Sequence, residues 1–218
     1  MISVKTIKEA CLNSYSIYFS GKTLPMSLNR ISRKTSFGFG GSLSRMKVPR
    51  SAVVPYILIE DQLFFLFAKD TKSDDYTDMG GGVKGDEFPL SGAVREFKEE
   101  SNAIFPPEMY NINLFVSLPM AICDKTSSIF YPVEKRWFEE APTLFIEQRK
   151  SMKGANQKLC KGYDEVSGLR WFSESELLDL CTGETVGDLK IWKKLRNVYR
   201  TILIPTFLHL LKLSYTHS

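Results

Sequence analysis

The stretch MGGGVKGDEFPLSGAVREFKEESNA, Met79 to Ala103, constrains the fold more than any other part of this chain. Three consecutive glycines, Gly80 to Gly82, remove every Cβ atom from one short piece of backbone, and a segment of helical period follows from Pro89. Proline suits the first turn of a helix, where its missing N–H has no intrahelical partner to lose. Leu90, Ala93, Val94 and Phe97 then recur at three- and four-residue spacing and give the helix an inward face, with Pro106-Pro107 as its stop. On such a helix Glu96, Glu99 and Glu100 stand at i, i+3 and i+4, so all three share one face. That much negative charge repels itself unless something neutralises it. A hard divalent cation does so, because Mg²⁺ takes oxygen ligands and bridges carboxylates to phosphates. The glycines are expected to supply the complementary half, a tightly bent backbone whose carbonyls and amides come close to a metal or an anion. A metal at this junction would polarise a phosphoryl oxygen and lower the pKa of a bound water. The stretch reads as a metal–phosphate site.

The order Gly81, five residues, Glu87, seven residues, Arg95-Glu96-Phe97, one residue, Glu99-Glu100 resembles the Nudix box, the signature of enzymes that hydrolyse a nucleoside diphosphate linked to another group. The box runs from Gly81 to Ala103, and the wider resemblance from about Arg50 to Leu178. The family places a hairpin before the box, and GLRWFSESELL, Gly168 to Leu178, looks like its closing strand and helix start. Two departures stand out. Asn102 occupies the position where the family ends the box with Gly, and Asn is the next most tolerant residue of a left-handed helix end. Before the box the family reads aromatic, any residue, apolar, Pro, Gly, Gly, whereas this chain has Tyr76, Thr77, Asp78, Met79, Gly80, Gly81. The exchange of an apolar residue and a proline for Asp78 and Met79 leaves the metal site but alters the loop before it.

The resemblance implies an α/β fold, a Nudix α/β/α sandwich with a central mixed sheet. It also implies Mg²⁺, or Mn²⁺ in its place, held by Glu96, Glu99, Glu100 and the backbone carbonyl of Gly80. Arg95 and Glu87 would orient the glutamates, since a guanidinium fork holds a carboxylate in place. The family often adds one acid from the loop before its last strand, and Glu165, with Asp164 beside it, is the candidate for extra ligand or general base. Water would be the nucleophile. The implied activity is hydrolysis of a pyrophosphate bond in a small nucleotide-type substrate. The alternatives are removal of an RNA 5′ cap and a non-catalytic nucleotide- or RNA-binding module.

Charge divides the chain unevenly. Residues 1–50 hold nine Lys/Arg against Glu9 alone, residues 189–218 hold six and no acid, and the stretch between carries net −10. Two basic ends therefore flank an acidic body, and RNA would be steered to Lys22, Arg30, Arg33, Lys34, Arg45 and Lys47 if it were a substrate. The reading that follows is a basic N-terminal extension over 1–48, a Nudix domain over 49–182 and a C-terminal helical extension over 183–218. The four cysteines are widely spaced without a CxxC pair, which suggests neither a zinc site nor a disulfide framework and fits a reducing, cytoplasmic compartment. The apolar run Thr201 to Leu213 is interrupted by Pro205 and His209, and the first residues carry Lys5, Lys8 and Glu9. Neither a membrane anchor nor a signal peptide is expected.

Local periodicity predicts a hairpin from Ser51–Ile59 and Leu63–Ala68 across a polar turn, and further strands at Leu114–Ile122, Ser128–Val133 and Val166–Phe172. Ser173 with Glu176 three residues on predicts a capped helix through Leu180. A last helix is expected from Leu189, with Trp192, Leu195, Val198 and Tyr199 on its packed side. Residues 36–44 read as a loop or linker, and 134–161 as mixed.

Overall fold

The computed structural model describes residues 35–154, 161–183 and 187–216. Eight strands form one sheet: β1 (Thr35–Phe39), β2 (Arg50–Ile59), β3 (Gln62–Asp70), β4 (Tyr76–Thr77), β5 (Met79–Gly82), β6 (Pro119–Cys123), β7 (Thr126–Pro132) and β8 (Val166–Ser173). Their order is β1-β6-β7-β2-β3-β4, with β5 added to β2 and β8 to β3. The β2–β7 pair is parallel and the other pairs antiparallel, so the sheet is mixed. The helices are α1 (Pro89–Glu100), α2 (Ile112–Phe115), α3 (Lys135–Gly154), α4 (Lys161–Asp164), α5 (Glu174–Thr182), α6 (Lys193–Ile202) and α7 (Pro205–Thr216).

The predicted hairpin forms, with Glu60 and Asp61 both left-handed (φ 48° and 64°) between the paired Ile59 and Gln62. Two consecutive positive-φ residues match the twist of the flanking strands, which is why so short a turn closes them. β2 is covered on both faces and reads as an almost continuous apolar run. Its side chains nevertheless alternate: Val53 and Ile57 enter one core, Val54 and Tyr56 the other. Pro55, which cannot donate a hydrogen bond, falls between the last residue paired with β5 and the first paired with β3.

Each face of the sheet carries its own core. α1 and α3 cover one, through Leu90, Ala93, Phe97, Trp137, Ala141 and Phe145. α5, α6 and α7 cover the other, through Leu177, Leu195, Tyr199, Ile202, Phe207 and Leu211. Helices on both faces of a mixed sheet make the α/β/α sandwich that the sequence implied. The capping box at Ser173 and Glu176 forms with both of its hydrogen bonds, and Gly183 closes α5 in the left-handed region (φ 91°). Burial pushes the Cys181 thiol on this helix up to about 12.

Four local expectations are corrected. Residues 35–39 are a strand and 40–45 a 3₁₀ turn, because the edge of β6 offers a ladder and Phe37 stacks on Phe207 at 4.7 Å. The expected strand at 114–122 begins only at Pro119. Ile112–Phe115 is helical, capped by the Asn111 side chain accepting from the Asn113 N–H at 3.0 Å. The mixed stretch after 134 is a single helix as far as Gly154, whose buried Trp137, Ala141 and Phe145 are spaced by four. The helix expected from Leu189 begins at Lys193, because Ile191 bridges to Tyr76 at the sheet edge, and it is not the last: it ends at Ile202 and α7 follows from Pro205. Among the basic residues named for RNA, Lys22, Arg30, Arg33 and Lys34 lie outside the described residues. No helix among the described residues is long and apolar enough to cross a membrane.

Candidate metal and phosphate site

The glycines do not bend the chain. Gly80 to Gly82 belong to strand β5 and none has a positive φ, so their role is close approach rather than a turn. A Cβ on Gly80 would lie 2.2 Å from the Ala52 Cβ and 2.7 Å from the Ser51 carbonyl oxygen of β2. A Cβ on Gly81 would lie 2.4 Å from the Glu96 carboxylate. The first clash is with backbone, the second with the free end of a flexible side chain. Gly80→Ala is therefore expected to destabilise the protein by on the order of 3 kcal/mol, the upper range for overpacking, measured by urea unfolding. Gly81→Ala should melt close to the wild type while displacing Glu96. A Gly80→Ala protein as stable as wild type would mean that β5 does not lie against β2.

α1 presents its glutamates to this strand. Arg95 is the hub: Nε and Nη2 donate to the two Glu87 oxygens at 3.0 Å each, Nη1 to Glu96 Oε1 at 2.7 Å and Glu99 Oε2 at 3.3 Å, and Nη2 to the Gly82 carbonyl at 3.1 Å. The Lys84 N–H also donates to Glu87 at 3.2 Å. Partial desolvation works against the charge on Glu87, yet the Arg95 fork and that N–H hold its carboxyl below the usual carboxylate range. Glu100 differs from its neighbours. It is 6% exposed and accepts one hydrogen bond, from the Gly80 N–H at 2.8 Å. Burial, then Glu96 and Asp78, push its carboxyl well above the ordinary value, with Arg50 and the Gly80 N–H opposing.

α1 ends as the sequence suggested, but with two left-handed residues. Asn102 (φ 52°) donates its N–H to the Glu99 carbonyl and Ala103 (φ 51°) to that of Lys98, the paired bonds of a Schellman motif.

A cleft of about 460 Å³ opens beside β5, and its walls include Arg50, Gly80, Gly81, Glu100, Glu165 and Trp192. Glu165 therefore shares the cleft with the box, although 65 residues separate it from Glu100 in sequence. Asp164 does not line it; its carboxylate accepts from Arg149 Nη2 at 2.9 Å.

Sequence reasoning missed Arg50 as a site residue and saw Asp78 only as a departure. Asp78 is fully buried, accepts from both Arg50 terminal nitrogens and from the Tyr199 hydroxyl, and Arg50 Nη2 also donates to the Gly80 carbonyl at 3.0 Å. Asp78 stands between β4 and β5, and a carboxylate between two short strand segments was the available signal.

The donor set suits a hard cation. Glu96, Glu99, Glu100 and the Gly80 carbonyl are all oxygen donors, and Glu100 is a buried carboxylate with like charges beside it. Among the described residues no three acidic, histidine or cysteine side chains gather closely enough to hold an ion, and two guanidinium groups sit on these oxygens. A carbonyl oxygen has two lone pairs, so the bond from Arg50 leaves Gly80 one free.

Neither family models nor curated proteins match this sequence. Solved structures do. The Bacillus subtilis pyrophosphohydrolase BsRppH, crystallised as a mutant, is 15% identical with a TM-score of 0.41, over 84% of this chain and 92% of that one. The C. elegans Ap4A hydrolase is 16% identical with a TM-score of 0.38, over 76% and 99%. A Nudix-family hydrolase from Clostridium perfringens is 14% identical with a TM-score of 0.33, over 74% and 97%. Likeness at this level says nothing of activity, and the function must be read from the residues.

Proposed function

We propose that this chain is a divalent-metal-dependent hydrolase of the Nudix type, cleaving a pyrophosphate bond in a nucleoside diphosphate derivative. The observation that carries the reading is the Arg95 hub, which binds Glu96 and Glu99 on its own helix and Glu87 in the turn before it, with Glu100 at the wall of the cleft. Glu96, Glu99, Glu100 and the Gly80 carbonyl would hold Mg²⁺ or Mn²⁺, which when bound supplies charge neutralisation at the phosphates and a more acidic water. The chain's own part is to hold the carboxylates. Arg95 fixes two of them through a rigid fork, and Glu87 fixes Arg95 in turn. Glu165 faces the same cleft and is the candidate general base for water.

The test is a panel of nucleoside diphosphate derivatives, inositol pyrophosphates and capped RNA incubated with the protein and Mg²⁺ or Mn²⁺, with chelator as control. Metal-dependent release of phosphorylated products supports the reading. Binding without turnover across the panel would favour the non-catalytic module. Glu165→Gln should flatten the acid limb of the pH–rate profile if Glu165 is the base, and an unchanged rate returns it to a solvated loop residue. The decapping alternative keeps one supporting observation: Lys194, on basic α6, lies 5.1 Å from the ring of Trp192 at the cleft wall.

A further inference from the structure

We propose that Arg50, Asp78 and Tyr199 form a strut through which the C-terminal helix α6 positions Gly80 in the metal site. The inference rests on the functional reading above and adds three positioning residues to it, none of them in the Nudix box. The chain of contacts is continuous. Tyr199, fully buried on α6, donates its hydroxyl to Asp78 Oδ2 and lies 3.3 Å from the Ser128 hydroxyl. Asp78 Oδ2 also accepts from Arg50 Nη1 at 3.3 Å, and Asp78 Oδ1 from Arg50 Nη2. The same Nη2 reaches the Gly80 carbonyl at 3.0 Å. Gly80 is thus held at its carbonyl by Arg50 and at its N–H by Glu100, 2.8 Å away.

Two further contacts tie the strut to the C-terminal segment. The Tyr76 N–H donates to the Lys190 carbonyl at 2.7 Å, and the Trp192 N–H to the Tyr76 carbonyl at 2.8 Å, which extends the sheet edge just before Asp78. The Trp192 ring that results stands 5.6 Å from the Arg50 guanidinium. Stability is a poor reason for such a network, because a buried ion pair seldom outdoes well-packed apolar residues of the same volume. What the pair does achieve is direction. Tyr199 and Trp192 confine the Asp78–Arg50 pair, and the fork that pair orients ends on the carbonyl of the glycine facing Glu100.

Three variants test this. Tyr199→Phe removes one hydroxyl and keeps the ring. Asp78→Asn removes the charge that orients Arg50. Arg50→Lys keeps a cation for Asp78 but cannot fork to Gly80 as well. Mn²⁺ affinity is read by electron paramagnetic resonance of the free ion, well below each melting temperature, together with kcat and KM. The expected result is a Kd for Mn²⁺ raised about 10-fold or more, as for other partners that orient metal ligands, with kcat reduced and KM for the nucleotide little changed. Arg50→Lys, which leaves Tyr199 and Asp78 in contact, keeps the test valid if the other two do not fold. Folded variants that bind Mn²⁺ as wild type does overturn the strut, whatever their melting temperatures. Wild-type protein that binds Mn²⁺ no better than Glu99→Gln overturns the functional reading itself, and the strut with it.

Discussion

Glu99→Gln and Glu100→Gln are each expected to lower turnover by about 10³-fold, the range seen when a preorganised electrostatic contact to a reacting oxygen is removed. Glutamine keeps the volume and one acceptor oxygen but deletes a charge from the face that would hold the cation. The two variants should part company in stability. Glu99 shares Arg95 with Glu87 and Glu96, so its loss leaves the guanidinium two carboxylate partners. Glu100 is buried next to like charges and, among the described residues, accepts only from the Gly80 N–H. Neutralising it relieves repulsion while the amide oxygen still accepts that bond, so metal-free Glu100→Gln should melt at or above the wild-type temperature. Calorimetry with and without Mg²⁺, beside steady-state kinetics on the substrate found in the panel, checks both statements. Near-wild-type turnover in both variants would remove these glutamates from the catalytic site.

Phe97→Ala should produce the largest loss of stability. Phe97 stands between Glu96 and Lys98 in sequence but points away from the cleft, fully buried. Its ring lies 5.3 Å from Phe105, 5.2 Å from Tyr110, and 6.3 Å from both Phe115 and Tyr131. Four aromatic neighbours cannot all collapse into the space it leaves, so the cost should fall at about 3–5 kcal/mol for a buried Phe truncation. In a chain of this size that corresponds to a fall of roughly 10 °C in melting temperature. Because this residue docks the helix that carries the glutamates, metal affinity should fall as well. Phe97→Leu, which keeps most of the volume, should recover the greater part of both losses. A melting temperature within a degree or two of wild type would show that α1 is held chiefly by its polar face.

Much of the candidate site could be read from the chain because its pieces are local. The i, i+3, i+4 placement of Glu96, Glu99 and Glu100, the proline at the start of α1, the left-handed Asn102 and the capping box at Ser173 all involve partners within one or two helical turns. Such features follow from propensity and backbone geometry, which one sequence displays in full. The β2–β3 hairpin is legible for the same reason, since its ladder closes across a two-residue turn.

The errors share the opposite cause. Residues 36–44 read as a linker until β6 offers an edge 80 or more residues away in sequence. The glycines read as a bend because their composition permits one; only the approach of Ala52 shows that the missing side chains serve close strand pairing. Asp78 read as a departure from a pattern because its partners, Arg50 and Tyr199, stand 28 and 121 residues away. By itself the sequence determined which residues carry charge and which local elements present them. Tertiary structure alone decided that β7 pairs parallel to β2, that the C-terminal helices cover the second face of the sheet, and that Glu165 and Trp192 meet the glycine strand in one cleft. The physical reason is that a long-range contact is chosen by competition among all the apolar faces and strand edges of the chain at once, and no single segment records the outcome.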